Sequence, residues 1–189
     1  LPNYRQFDEK RYFTGLAAAA GEEGLSVGDL LSPVSIPAGD EVLQAAVLLC
    51  EDSWDESYSV HPMDILAQKK PDIFLNLSAS PFTLGKNEKR HRMLAAAGSR
   101  LHVPMLYVNT RGLQNNGKTC YTFDGMTAAY DQNGVLISET PPYTCPRASF
   151  LFDISSGTLT PEQSGAPYSG DMLLPAVRYG TGKFLHSIH

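Results

Sequence analysis

The chain has 189 residues, 42% hydrophobic and 19% charged, with a net charge of −5. That is enough apolar material for one domain with a real core. The balance is too acidic, and too poor in dense basic stretches, to track a phosphate backbone, so a nucleic-acid partner is not expected. No apolar run approaches the roughly 20 residues that cross a bilayer, and no signal-peptide pattern is seen, so a membrane partner is not expected either.

The chain opens on Leu1-Pro2-Asn3-Tyr4 rather than on Met, which reads as the middle of a protein. Residues 1–40 are rich in breakers (Gly21, Gly24, Gly28, Pro33, Pro37, Gly39), with a short turn or helix within 7–20. Ala45-Ala46-Val47-Leu48-Leu49-Cys50 is a continuous apolar run of strand length and stops at Glu51-Asp52. Residues 61–70 predict a helix with Pro62 near its start and lysines at its end. A strand is predicted over 72–78. A helix follows over 87–102, where Met93, Leu94, Ala97 and Leu101 recur at helical spacing, then a strand over 105–109. The basic run 86–92 includes Glu88 and is read as a solvated helix face.

Strands are next predicted over 119–123 and 126–130. A hairpin turn at Asp131-Gln132-Asn133-Gly134 leads to returning strands over 135–139 and 148–154. Asn115-Asn116-Gly117-Lys118 reads as a turn, with 111–118 edging either the active site or a subunit contact. Residues 155–189 turn to Ser, Gly, Thr and Pro and are read as an extended tail or linker able to clamp a partner. Helices flanking a largely buried sheet make the fold α/β or α+β.

The cysteines are Cys50, Cys120 and Cys145. Their number and spacing suggest neither a disulfide framework nor a zinc site, and a reducing cytoplasm is the expected setting. Cys50 ends a buried strand, where a cysteine is often only a small hydrophobe. The abrupt change to Glu51 and Asp52, with Trp54 close behind, puts the thiol instead at a sheet edge where loops converge. Adjacent carboxylates raise a thiol pKa, so a reactive cysteine here demands a cation nearby. None of the histidines (61, 91, 102, 186, 189) stands in a context that makes it a compelling base.

Leu48-Leu49-Cys50-Glu51-Asp52-Ser53-Trp54 resembles the nucleophile segment of the nitrilase, or carbon–nitrogen hydrolase, superfamily. Within it the resemblance is closest to the glutaminase domains of glutamine-dependent NAD synthetases. Three further segments agree in order: Leu1-Pro2-Asn3-Tyr4 with 7–13; Asn76-Leu77-Ser78-Ala79-Ser80-Pro81-Phe82 with Gly85-Lys86; and 103–109 with Phe123-Asp124-Gly125-Met126. The resemblance spans residues 1–154. It implies an α-β-β-α sandwich, of the four-layer type, incomplete at the N-terminus. It also implies amide hydrolysis through a cysteine thioester, with Cys50 as nucleophile and a lysine and a glutamate completing the triad.

The family's lysine is expected just before Leu1 and its glutamate further upstream, so the 189 residues taken alone are expected to be inactive. Lys10 and Glu51 do not replace them. The glutamine pocket implied by resemblance comprises Tyr4, Glu51, Trp54, Ser80 and Lys86, each with a purely structural alternative. The amidase step is expected to need no metal or cofactor. ATP and Mg belong, by resemblance, to a synthetase domain with a Ser-Gly-Gly-x-Asp-Ser loop, which this chain lacks. Expected partners are glutamine, that synthetase domain or the absent N-terminal segment, and a second copy in a homo-oligomer. Two rivals remain open: a stand-alone amidase for another small amide, and an inactive structural remnant.

Overall fold

The computed structural model describes residues 9–115, 117, 119–144, 147–162 and 168–187. After a 3-10 turn at Glu9–Arg11, the described residues form two short helices, α1 (Leu16–Glu22) and α2 (Val27–Leu30). A capping box between Ser26 and Asp29 starts α2. Lys69 ties the following loop down by donating to the carbonyls of Gly28 and Leu31.

Next come β1 (Val34–Ala38), β2 (Glu41–Leu49), α3 (Pro62–Ala67), β3 (Ile73–Ser78), α4 (Lys86–Leu101) and β4 (Met105–Asn109). A hairpin of β5 (Arg111–Asn115) and β6 (Cys120–Asp124) precedes β7 (Thr127–Tyr130) and β8 (Leu136–Glu139). The chain continues through β9 (Phe150–Asp153), β10 (Thr158–Pro161) and α5 (Leu173–Ser187).

The main sheet has the order β1-β2-β3-β4-β7-β8. Strands β2, β3 and β4 are parallel, with Leu48 opposite Asn76 and Asn76 opposite Tyr107. The others are antiparallel. Parallel neighbours need crossovers, and α3 and α4 supply them. Both helices cover one face, where Ala46, Leu48, Phe74, Met105, Tyr107, Ala128 and Tyr130 meet Met63, Leu66, Leu94 and Ala97. The alternate residues face the other way. Ala45, Ile73 and Ala129 there are covered by Leu159, Phe150 and Phe152 of the β9–β10 hairpin. That cover ends before the C-terminal ends of β2 to β4, where Leu49, Leu77 and Val108 are 64%, 46% and 41% exposed. The described residues therefore hold a six-stranded sheet with α3 and α4 on one face and the β9–β10 hairpin on part of the other, beside the separate two-stranded β5–β6 sheet.

Three expectations need correction. Residues 34–38 form the edge strand β1 rather than loop. Pro37 is tolerated there because an edge strand does not need every N–H in the ladder. Residues 111–115, to which the sequence assigns no strand, pair with β6 as β5; of the turn read at 115–118, Asn116 and Lys118 lie outside the described residues. Residues 155–187 are not extended throughout. They hold β10 and the helix α5, which lies against β5 and β6 with Tyr179 stacked 5.1 Å from Tyr143. Pro175 near the start of the helix and Gly180 and Gly182 in its middle give the stretch the composition of a loop.

Candidate active site

Strand β2 ends at Leu49, and Cys50 turns the chain at once into a 3-10 helix, Cys50–Ser53. Cys50 itself adopts φ +43°, a left-handed conformation rare for a side chain of this kind. Such a turn at the end of a central strand lifts the side chain out of the sheet, and strained residues cluster where chemistry is done. The turn is held locally. Asp52 accepts from the Leu49 N–H at 2.8 Å, and Ser53 donates to the Cys50 carbonyl at 2.9 Å.

Cys50 opens onto a cleft of about 1030 Å³ between residues 50–58 and one side of α4. Glu51, Trp54, Ser80 and Lys86 all line it. Four of the five pocket residues expected from the sequence are thus brought together around the expected nucleophile. The fifth, Tyr4, lies outside the described residues, as does Cys145. Segment 111–115 does not line this cleft, and neither does any histidine among the described residues. His61 sits 3.5 Å from Asp55, and His91 bonds Tyr130 and Glu139.

The cleft is electrically polarised. Glu51 and Asp55 stand on one wall, Lys86 and Lys89 on the other. Burial pushes the Cys50 thiol above its ordinary value. Hydrogen bonding from Ser78 and the Ala79 backbone, then the charge of Lys86, pull against that, while Glu51 adds to it. Lys86 shifts downward, through burial and the neighbouring Arg90 charge, opposed by Cys50, Asp124 and Glu51. Cys50 and Lys86 therefore favour each other's charged forms while burial resists both. Among the described residues, no group of three or more His, Cys, Asp and Glu side chains could hold a metal ion. No described helix is long and apolar enough to cross a membrane.

The structure adds residues that the sequence did not single out. The Tyr58 hydroxyl donates to Glu51 at 2.8 Å. The Lys89 ammonium lies 5.4 Å from the centre of the Trp54 ring, a cation–π contact across the mouth of the cleft. Asn109, Asp124 and Arg90 form a buried network behind Ser80. A sequence signal existed for Lys89, one turn beyond Lys86. None existed for Asn109, which reads as the last residue of a strand.

The fold, with a strained cysteine ending a central parallel strand beneath a helical layer and beside a polarised cleft, is shared with a carbon–nitrogen hydrolase from Helicobacter pylori G27, which superposes with a TM-score of 0.54 at 21% identity, over 75% of this chain and 46% of that one. No protein-family model matches the chain. Its sequence relatives are more specific. The glutamine-dependent NAD(+) synthetase of Synechocystis sp. is 31% identical over 98% of this chain and 31% of its own length. The structure of glutamine-dependent NAD+ synthetase from Acinetobacter baumannii, in complex with ADP, gives a TM-score of 0.75 at 26% identity, again over 98% and 31%. The chain is homologous to the glutamine-dependent NAD(+) synthetases and spans about a third of the length of these two relatives.

Proposed function

We propose that this chain carries the nucleophile and pocket of a glutaminase that supplies ammonia to ATP-dependent NAD synthesis. The observation that carries this reading is the meeting of Cys50, Glu51, Ser80 and Lys86 in one cleft. A free amino acid bears a cation and an anion on one carbon. Glu51 is the acceptor for its ammonium, and Lys86 with Ser80 the donors for its carboxylate. Trp54 walls the aliphatic part.

The Cys50 thiolate attacks the side-chain amide carbon of glutamine. The tetrahedral intermediate expels ammonia and leaves a thioester, which water hydrolyses to glutamate and free thiol. The N–H of Glu51, in the first turn of the 3-10 helix, is the oxyanion donor of this reading. Burial raises the thiol pKa and Lys86 offsets it only in part, so the thiolate needs a second cation. A lysine and a general-base glutamate from sequence outside these 189 residues fill those roles. The open ends of β2 to β4, at Leu49, Leu77 and Val108, suit cover by a second sheet from the same source.

No metal or cofactor enters the amide step in this reading. ATP and Mg²⁺ belong, in this reading, to the synthetase reaction. Assembly as a homo-oligomer belongs to the same proposal.

The test uses the complete polypeptide. Wild type is expected to release ammonia from glutamine, and Cys50→Ala to abolish release while keeping the far-UV circular dichroism of wild type. A glutamine-like electrophile is expected to modify Cys50 and spare the exposed Cys120. Ammonia release by Cys50→Ala, or equal labelling of both thiols, would overturn the assignment.

A further inference from the structure

The segment that carries Ser80 into the cleft has no secondary structure of its own beyond a single bridge between Pro81 and Phe123. Something else must fix the peptide at Ser80, which is 2% exposed. Asn109, at the end of β4 and 5% exposed, does so from both sides. Its Oδ1 accepts from the Ser80 N–H at 2.8 Å, and its Nδ2 donates to the Ser80 carbonyl at 3.0 Å. One side-chain amide thus imitates a strand neighbour for one residue.

The imitation works in one orientation only. If the amide flips, Oδ1 faces a carbonyl and Nδ2 faces an N–H, so both bonds become repulsive. Asp124 sets the orientation. Its Oδ1 accepts the second Nδ2 hydrogen of Asn109 at 2.8 Å and also the Met126 N–H at 3.0 Å. A carboxylate offers acceptors and no donor, so only the nitrogen of Asn109 can face it. Asp124 is 1% exposed and its other oxygen is held by Arg90, also 1% exposed, at 3.3 Å. Arg90 lies one turn after Lys86 on α4, donates to Asn87 at 3.0 Å, and stacks 4.7 Å from the Tyr107 ring. The chain Arg90, Asp124, Asn109, Ser80 therefore joins α4, β6 and β4 to the floor of the cleft.

We propose that Asn109, oriented by the buried Asp124–Arg90 pair, is a positioning residue that sets the Ser80 peptide for substrate binding, an inference that rests on the glutaminase reading above. Asn109 touches neither Cys50 nor the cleft. Its effect is carried by Ser80, and so falls on substrate affinity rather than on the reactivity of the thiol.

Two variants of the complete polypeptide test this. Asn109→Asp keeps size but sets oxygen against the Ser80 carbonyl and Asp124. The pair Arg90→Met with Asp124→Leu removes both charges together, so neither is left buried and unpaired. Leucine offers Asn109 no acceptor, so the amide loses the partner that fixes its nitrogen on that side. The readouts are KM and kcat for ammonia release from glutamine, the rate of Cys50 alkylation by iodoacetamide, and the Tm. The KM for glutamine is expected to rise about tenfold in Asn109→Asp and about threefold in the double variant, the scale of one or two lost hydrogen bonds. The alkylation rate should stay within about twofold of wild type in both, because a small reagent does not use the Ser80 contact. If Asn109→Asp does not fold, the double variant decides alone. Unchanged KM in a folded variant, or a fall in alkylation that parallels the loss of activity, overturns the positioning role while leaving the glutaminase reading intact. A wild-type protein that releases no ammonia from glutamine overturns both.

Discussion

Helix α4 carries Lys86 and Arg90, and its seat on the sheet depends on Gly134. This residue lies in the β7–β8 turn at φ +77°, directly against α4. A Cβ built there would overlap the Ala95 carbonyl oxygen and stand 2.9 Å from the Ser99 nitrogen. Both are helix backbone atoms that cannot step aside. Gly24 has a similar φ of +68°, but nothing lies within 4 Å of its Cβ position. The two glycines separate two costs. Gly24→Ala incurs only the left-handed backbone penalty, about 1–2 kcal/mol. Gly134→Ala incurs that penalty plus overpacking of about 1–3 kcal/mol, so about 2–5 kcal/mol in all. At about 2–4 °C per kcal/mol for a chain of this size, the Tm should fall several degrees further in Gly134→Ala than in Gly24→Ala. Parallel urea unfolding, followed by far-UV circular dichroism, measures both. Equal losses would show that α4 does not rest on this turn as described.

Two other outcomes follow from charge and burial. Cys50 alkylation in the 189-residue chain should rise with pH to a midpoint above the ordinary thiol value of 9.0, and Lys86→Met should push it higher. On the glutaminase reading proposed above, which sets a further lysine at the thiol in the complete polypeptide, the midpoint should fall there; an inflection near 7 in the short chain would refute the burial argument. The sign for stability is the same: a thiol whose folded pKa is raised stabilises fully below its unfolded pKa, and that contribution is lost as pH rises through the folded value. Arg90→Ala should cost about 3–5 kcal/mol in chemical denaturation, because it strands the buried Asp124 carboxylate. Arg100→Ala, whose pairing with Asp64 is half exposed, should cost less than about 1 kcal/mol. Similar losses for the two would contradict the burial assigned to Arg90.

Much of the α/β core was legible as sequence because its elements satisfy a local rule. The run 45–50 is apolar because β2 lies between two strand neighbours with Ala45, Ala46 and Leu48 buried, although Leu49 at its end is left exposed. The helix predicted over 87–102 is observed as Lys86–Leu101, entered through Gly85 at φ +72° and left through His102 at φ +54°. The turn at Asn133-Gly134 is likewise a local signal. The edge strand β1 and helix α5 were not legible. Pro37 and the glycines of α5 mimic loop composition, and what orders them is a neighbour distant in sequence: β2 for one, the β5–β6 hairpin for the other.

The site divides in the same way. Sequence by itself marked Cys50 as a candidate: an apolar strand that breaks into Glu51-Asp52-Ser53-Trp54 points to a sheet edge, and resemblance to a family singled out Cys50 as nucleophile with Ser80 and Lys86 beside it. Only the tertiary structure decided that Cys50 takes a left-handed turn, that burial pushes its thiol up, and that Ser80 is set by an asparagine 29 residues away. Those outcomes depend on which strand lies beside which and on how much water is excluded between them, and no local run of residues encodes either.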